Sequence, residues 1–102
     1  MNHHYQTRLD RQVFPSAILD KVNIVDRLAV NFEQQFQSPF PKLALVAECY
    51  FNMSEEDAYK AHCNSTLPVN VYRLGGRKST KVISVLELAH YAYEQLLKEG
   101  SL

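Results

Sequence analysis

The fold is decided by the stretch from Lys42 to Asn64, which reads KLALVAECYFNMSEEDAYKAHCN. Apolar residues in its first half recur at positions i, i+3, i+4 and i+7, which predicts one face of a short helix over 42–51. A tight turn follows at 52–54. The hydroxyl of Ser54 can cap a second helix, which ends near Asn64 and buries Ala58 and Ala61, and the acids at 55–57 favour the positive end of its dipole. Two helices joined by three residues predict a helix-turn-helix.

A β-hairpin is predicted directly after this helical pair. Leu67 and Pro68 end the second helix, residues 69–74 alternate as a strand, and residues 81–83 form the returning strand. Gly75 and Gly76 form the turn, and two basic residues follow them at the tip. This hairpin has the sequence form of a wing.

Two longer helices flank the helix-turn-helix and the hairpin. The first is predicted over 17–36, and its apolar stripe consists of Ile18, Val22, Val25, Ala29, Phe32 and Phe36. The second is predicted over 85–99, with a capping box from Ser84 and Glu87 and a stop at Gly100. Its stripe consists of Val85, Leu88, Ala89, Ala92 and Leu96, and a second row of Leu86, Tyr93 and Leu97 makes its apolar face broader than one core contact needs.

Alternatives remain open for the N-terminal helix. Its stripe has the spacing of a coiled-coil seam but is only about two and a half heptads long, so it packs either on the protein's own core or against a second copy. Residues 28–32 also alternate as a short strand would. A homodimer or oligomer through the N-terminal or the C-terminal helix is therefore retained as a hypothesis.

The domain organisation follows from the length and from one break in the chain. At 102 residues the protein can close a single core. Prolines at 39 and 41 interrupt the helical pattern. We therefore expect a mainly α protein with a small β-hairpin, in which a winged helix-turn-helix at 38–102 is preceded by an N-terminal helical extension at 1–37.

The charge distribution favours one basic surface over a generally basic protein. Eleven basic and eleven acidic residues give a net charge of zero, which argues against indiscriminate coating of nucleic acid. The segment 58–86, however, holds no acid. Its five basic residues are Lys60, Arg73, Arg77, Lys78 and Lys81.

Several other classes of protein find no support in the sequence. Cys49 and Cys63 lack histidines at zinc spacing and are interpreted as reduced thiols, and His3 and His4 as a solvated tail without a metal. No apolar run has the length of a membrane span and no signal peptide is recognised, so we expect a cytoplasmic protein without a membrane partner. No catalytic constellation, cofactor motif or small-molecule site is evident, so we expect no enzyme.

The segment from Pro41 to Tyr91 resembles the pyocin activator protein family (PrtN-like) and, more distantly, the AlpA-like and excisionase members of the MerR-type winged-helix group. The resemblance rests on VAECYF at 46–51, on residues 54–68 with their terminal Leu-Pro, on VYRL at 71–74 and on VLELAHY at 85–91. It covers about half the chain. This chain departs from the family pattern by its acids at 55 and 56 and by Ser65, which stands where a glycine is usual, so that we expect a differently built turn.

The resemblance implies a sequence-specific binder of double-stranded DNA, with the second helix in the major groove and the wing on the backbone. The implied contact residues are Glu56, Tyr59, Lys60, Asn64, Arg73, Arg77, Lys78 and Lys81, with Glu55 and Cys63 on the same side of the helix. The chemistry of these residues supports this, because tyrosine and lysine bond phosphates or base edges, glutamate accepts from a cytosine amino group, and arginine and lysine neutralise phosphates.

Each of these assignments has a structural alternative. Glu55 and Glu56 can simply compensate the helix dipole, the hairpin tip can be a solvated turn, and Tyr59 can belong to the core, as we expect for Tyr91 and Tyr93. For function, the resemblance favours a prophage-type transcriptional activator. The alternatives are an excisionase, which bends DNA for recombination, and a protein-binding module that has lost DNA affinity.

Overall fold

The computed structural model describes the backbone of residues 16–75 and 80–100, and side chains from residue 20 onward within those ranges. This part of the chain is mainly helical with one small hairpin, an arrangement like that of a winged helix. The elements are α1 (Ser16–Phe36), α2 (Leu43–Val46) with a π-helical segment (Ala47–Phe51), α3 (Glu55–Cys63), β1 (Tyr72–Leu74), β2 (Thr80–Val82) and α4 (Val85–Lys98).

The core is formed where α1 lies along α4 and the helix-turn-helix closes against both. Val25 and Phe32 of α1 are buried in the same cluster as Leu43, Ala58 and Leu88. The predicted stripe of α1 thus packs on the protein's own core, although Val22 stays 58% exposed and the side chain of Ile18 lies outside the described residues. The alternative of a strand at 28–32 is wrong, because this segment is continuous helix.

Helix α2 differs from the single helix predicted over 42–51. After one α-helical turn the chain widens into the π-helical segment, whose end is closed by a bond from the Asn52 amide to the Ala47 carbonyl. The ring of Tyr50 in this segment packs edge-on against Phe32 and Phe36, with centroids 5.3 and 6.2 Å away. Single π turns of this kind occur often at functional sites.

Both ends of α3 are closed by specific contacts. The Ser54 hydroxyl accepts from the Asp57 amide at 3.1 Å, which confirms the predicted cap. At the other end Ser65 has a φ of 56°, while the Thr66 amide reaches the Ala61 carbonyl at 2.9 Å and the Ser65 amide reaches that of His62 at 3.1 Å. These two bonds form a Schellman motif. The expectation of a differently built turn is wrong, because the serine adopts the left-handed conformation that glycine favours.

The hairpin is antiparallel and shorter than predicted. Its pairs are Tyr72 with Val82, Arg73 with Lys81 and Leu74 with Thr80. The first strand begins at Tyr72 and not at Val69 because its partner ends at Val82, shortly before Ser84 caps α4. The turn at 76–79, including Gly76, Arg77 and Lys78, lies outside the described residues, as does the terminal segment with His3 and His4.

Helix α4 ends at Lys98, one residue earlier than predicted and just before the left-handed Gly100, and only half of its capping box forms. The Ser84 hydroxyl accepts from the Leu86 amide at 3.2 Å, whereas the Glu87 side chain turns away toward other partners. Tyr91 and Tyr93 pack against the core, which confirms their expected role, and Leu86 and Leu97 remain 53% and 44% exposed. Within 16–75 and 80–100, none of the helices has the length and apolar character needed to cross a bilayer.

Candidate nucleic-acid interface

The exposed side of α3 carries most of the polar residues singled out in the sequence. Ala58 and Ala61 turn inward to the core, and the opposite side forms a shallow depression of about 300 Å³. It is lined by Glu56, Tyr59, Lys60, Cys63 and Asn64. The sequence therefore predicted the residues of this face, and the alternative that Tyr59 belongs to the core is wrong, since this residue is 38% exposed.

Two acids of the first turn hold the two groups that could bind an anion or a base edge. The Tyr59 hydroxyl donates to Glu55 Oε2 at 2.9 Å, and Lys60 Nζ lies 3.3 Å from Glu56 Oε1. The bond to the carboxylate, with desolvation, raises the pKa of Tyr59 above its ordinary value, because the neutral phenol is the donor. At neutral pH Tyr59 is therefore a hydrogen-bond donor.

The hairpin is joined to α3 by a contact between Lys81 and Tyr59. Lys81 Nζ lies 4.9 Å from the centroid of the tyrosine ring, within the range of a cation–π interaction. Arg73 stands directly opposite Lys81 in the ladder, so both side chains share one face of the hairpin. Tyr59 therefore lies at the boundary where the exposed face of α3 meets the basic face of the hairpin.

The two basic side chains at this boundary favour the binding of an anion. Two like charges directly opposite each other in a ladder repel. The ion pairs of the described residues are Lys21 with Glu94 and Lys60 with Glu56, so neither Arg73 nor Lys81 has an acidic partner there. A phosphate placed beside both cations would relieve their repulsion.

The structure brings six of the eight predicted contact residues to this surface. Glu56, Tyr59, Lys60 and Asn64 line the depression on α3, and Arg73 and Lys81 lie on the hairpin. Arg77 and Lys78 belong to the tip that is outside the described residues.

A second set of polar contacts, missed by sequence reasoning, lies on the other face of the hairpin. Glu87 of α4 accepts hydrogen bonds from Asn70 Nδ2 at 2.9 Å and from the Tyr72 hydroxyl. The hydrogen bond from Tyr72 to the Glu87 carboxylate raises the pKa of Tyr72 above its ordinary value. The partners are 17 and 15 positions from Glu87 in the sequence, and no local spacing signals such a contact.

Among the described residues no group of three or more histidine, cysteine or acidic side chains could hold a metal ion. Cys49 and Cys63 are exposed free thiols.

A family model described as pyocin activator protein PrtN matches residues 30–96, which is about two thirds of the chain and includes α2, α3, the hairpin and most of α4. The chain belongs to this family. Membership indicates a phage-type transcriptional activator and not a class of enzyme, and it favours the activator over the excisionase alternative. No curated protein and no solved structure matches the sequence significantly.

Proposed function

We propose that this pyocin activator family protein binds double-stranded DNA sequence-specifically, with α3 in the major groove and the hairpin on the phosphate backbone. A nine-residue helix is about 13 Å long, and the major groove admits an α-helix. The contact residues would be those predicted from the sequence, including Arg77 and Lys78 at the hairpin tip.

The contact between Lys81 and Tyr59 carries this proposal. It brings Arg73 and Lys81, which have no acidic partner among the described residues, to the edge of the exposed face of α3. Phosphate contacts position a protein on a duplex, whereas contacts to base edges select the sequence. A basic hairpin fixed beside an exposed polar helix supplies both kinds of contact in one continuous surface.

The acids of α3 are compatible with this role. An exposed i,i+4 ion pair such as Glu56 with Lys60 contributes only about 0.3–0.5 kcal/mol. A hydrogen bond to a charged group contributes about 1.5–3 kcal/mol, so Lys60 would gain by exchanging Glu56 for a phosphate. The released glutamate could then accept from a cytosine amino group.

Two further parts of the proposal concern assembly. Residues 38–102 would form the DNA-binding domain, and residues 1–37 its extension. A homodimer through the outward side of α1 or α4 would place two copies on neighbouring half-sites. Sedimentation of the full chain over a range of protein concentrations tests this, since a monomer at every concentration would contradict the dimer.

A mobility-shift titration against random duplexes at two salt concentrations tests DNA binding itself. We expect enrichment of one motif and an affinity that falls with salt, because releasing counterions from DNA is less favourable at a higher salt concentration. Binding without a selected motif would contradict sequence specificity. If no duplex binds at low salt, DNA binding is wrong and the protein-binding module becomes the leading hypothesis.

Point variants separate the two parts of the surface. We expect Lys60→Ala to weaken the selected duplex about tenfold, the effect of one lost contact to a base or phosphate, while random duplexes change less. Arg77→Ala should weaken all duplexes alike. Lys98→Ala, which removes the same charge from the exposed last turn of α4, serves as the control. Unchanged affinity in both interface variants would contradict the assignment of this surface.

A further inference from the structure

The first turn of α4 carries a carboxylate with two partners distant in sequence. Asn70, in the connection between α3 and β1, donates to one oxygen of Glu87, and Tyr72, the first residue of β1, donates to the other. One side chain of α4 therefore holds both the connection that leaves the exposed helix and the strand that opens the hairpin.

These two hydrogen bonds take the place of the capping box that the sequence predicts for Glu87. In a capping box the acid at the third helical position bonds back to the amide of the capping residue. Here Ser84 caps α4 alone, while Glu87 is half-buried and directed to the hairpin. The helix dipole still favours negative charge at this position, and hydrogen bonds to an ionised acceptor are stronger than neutral ones.

The hairpin is held from both of its faces. Tyr72 lies on the same face as Val82, its ladder partner, and this face contacts α4 through Glu87. Arg73 and Lys81 lie on the opposite face, which contacts α3 through Tyr59. Strand β2 leads along the chain into α4, whereas β1 contacts α4 through the hydrogen bond from the Tyr72 hydroxyl to Glu87.

We propose that Glu87 is a positioning residue for DNA binding. Its carboxylate holds Tyr72 and Asn70 and thereby sets the angle at which the hairpin presents Arg73 and Lys81 beside α3. Glu87 makes no contact with DNA itself, because it lies on the far face of the hairpin. The consequence for DNA affinity rests on the function proposed above, whereas the consequence for the hairpin does not.

Glu87→Ala tests the effect on DNA, with two control variants. Ser84→Ala removes the cap of the same helix turn and leaves Glu87 intact, and Glu94→Ala removes an equal charge from the exposed side of α4. The measurements are the Kd for the selected duplex at several salt concentrations and the Tm by circular dichroism.

We expect Glu87→Ala to weaken binding about five- to tenfold, equivalent to about one hydrogen bond, and to lower the salt dependence because hairpin cations no longer reach phosphates. Tyr72→Phe should show part of this loss. Ser84→Ala should lower the Tm and leave affinity within about twofold, because loss of a cap affects stability alone. Wild-type affinity for Glu87→Ala, or an equal loss for Ser84→Ala, would overturn the proposal.

A measurement without DNA distinguishes the positioning role of Glu87 from the proposed binding of DNA. In the free protein, nuclear Overhauser effects between the Tyr59 ring and the Lys81 methylenes report the contact of the hairpin with α3. They should weaken in Glu87→Ala and persist in Ser84→Ala. Full intensity in Glu87→Ala refutes positioning by this residue. If the wild type binds no duplex, the proposed function fails, while this comparison still decides the role of Glu87.

Discussion

The pairing of α1 with α4 and the pairing of α3 with the hairpin are held together by different forces. The first depends on buried apolar side chains, with Phe32 and Leu88 in one continuous cluster. Among the described residues, the second is joined by a cation–π contact at an exposed tyrosine, and the hairpin itself by three residue pairs. Burial of a large apolar side chain contributes about 1.5–3 kcal/mol, whereas an exposed cation–π pair contributes about 0.5–1 kcal/mol.

This difference indicates that the two regions contribute differently to stability and to DNA binding. The α1–α4 pair contributes buried apolar side chains to the core and can tolerate little change in volume. The α3–hairpin surface contributes little stability and leaves its polar groups accessible. Substitutions should therefore separate into those that unfold the protein and those that alter its affinity for DNA.

The largest effect on stability is expected from Phe32→Ala. This ring is buried between α1, the π-helical segment and α4, so its loss should lower the free energy of unfolding by about 3 kcal/mol or more. Urea denaturation measures this. Val22→Ala, on the exposed side of the same helix, should cost less than about 0.5 kcal/mol. Equal losses in the two variants would show that α1 does not pack as described.

The double variant Arg73→Ala with Lys81→Ala should have the opposite profile. Two charge-assisted contacts would be lost, so we expect affinity to fall about thirtyfold for every duplex and the slope of log K against log salt to decrease by about 1.8. Stability should change little, because relief of the repulsion between the two cations offsets the loss of the cation–π contact of Lys81 with Tyr59. Fluorescence anisotropy at several salt concentrations measures both quantities.

A matched variant tests whether position matters in addition to charge. Arg27→Ala with Lys98→Ala removes the same charge from exposed sites on α1 and α4. We expect it to weaken binding by less than about threefold, through the general field alone. If the two double variants lose equal affinity, the hairpin has no special role.

The sequence was most informative where local chemistry determines structure. The serines at 54 and 84 cap their helices, Gly100 ends the last one, and the stripe containing Val25 and Phe32 faces the core. Each of these depends on neighbours within one or two turns. Such contacts are encoded by spacing, and spacing is visible in a single sequence.

Contacts between distant segments could not be predicted in the same way. The spacing of Glu87 from Ser84 predicts a capping box, but its carboxylate accepts hydrogen bonds from Asn70 and Tyr72 instead. The cation–π contact between Lys81 and Tyr59 likewise depends on how the hairpin folds back on α3. The family resemblance implied the residues of the candidate interface, and only the tertiary arrangement places them beside one another.

The smallest effect is expected at the end of α3, where Ser65→Gly should stabilise the weaker of the two regions. A left-handed φ costs a non-glycine residue about 1–2 kcal/mol, and Ser65 has a φ of 56°. Glycine removes this cost but adds about 0.4–1 kcal/mol of disorder to the unfolded chain, so the net gain should be about 0.5 kcal/mol.

A thermal melt should show this gain as a rise in Tm of about 2–4 °C. Ser65→Val, which cannot relax into the same turn, should lower the Tm instead. The affinity for DNA should stay the same in Ser65→Gly, because the substitution leaves the exposed side of α3 unchanged. A rise in stability accompanied by a loss of affinity would mean that the end of α3 must open when the protein binds DNA. The DNA-binding surface would then depend on a conformational change at Ser65.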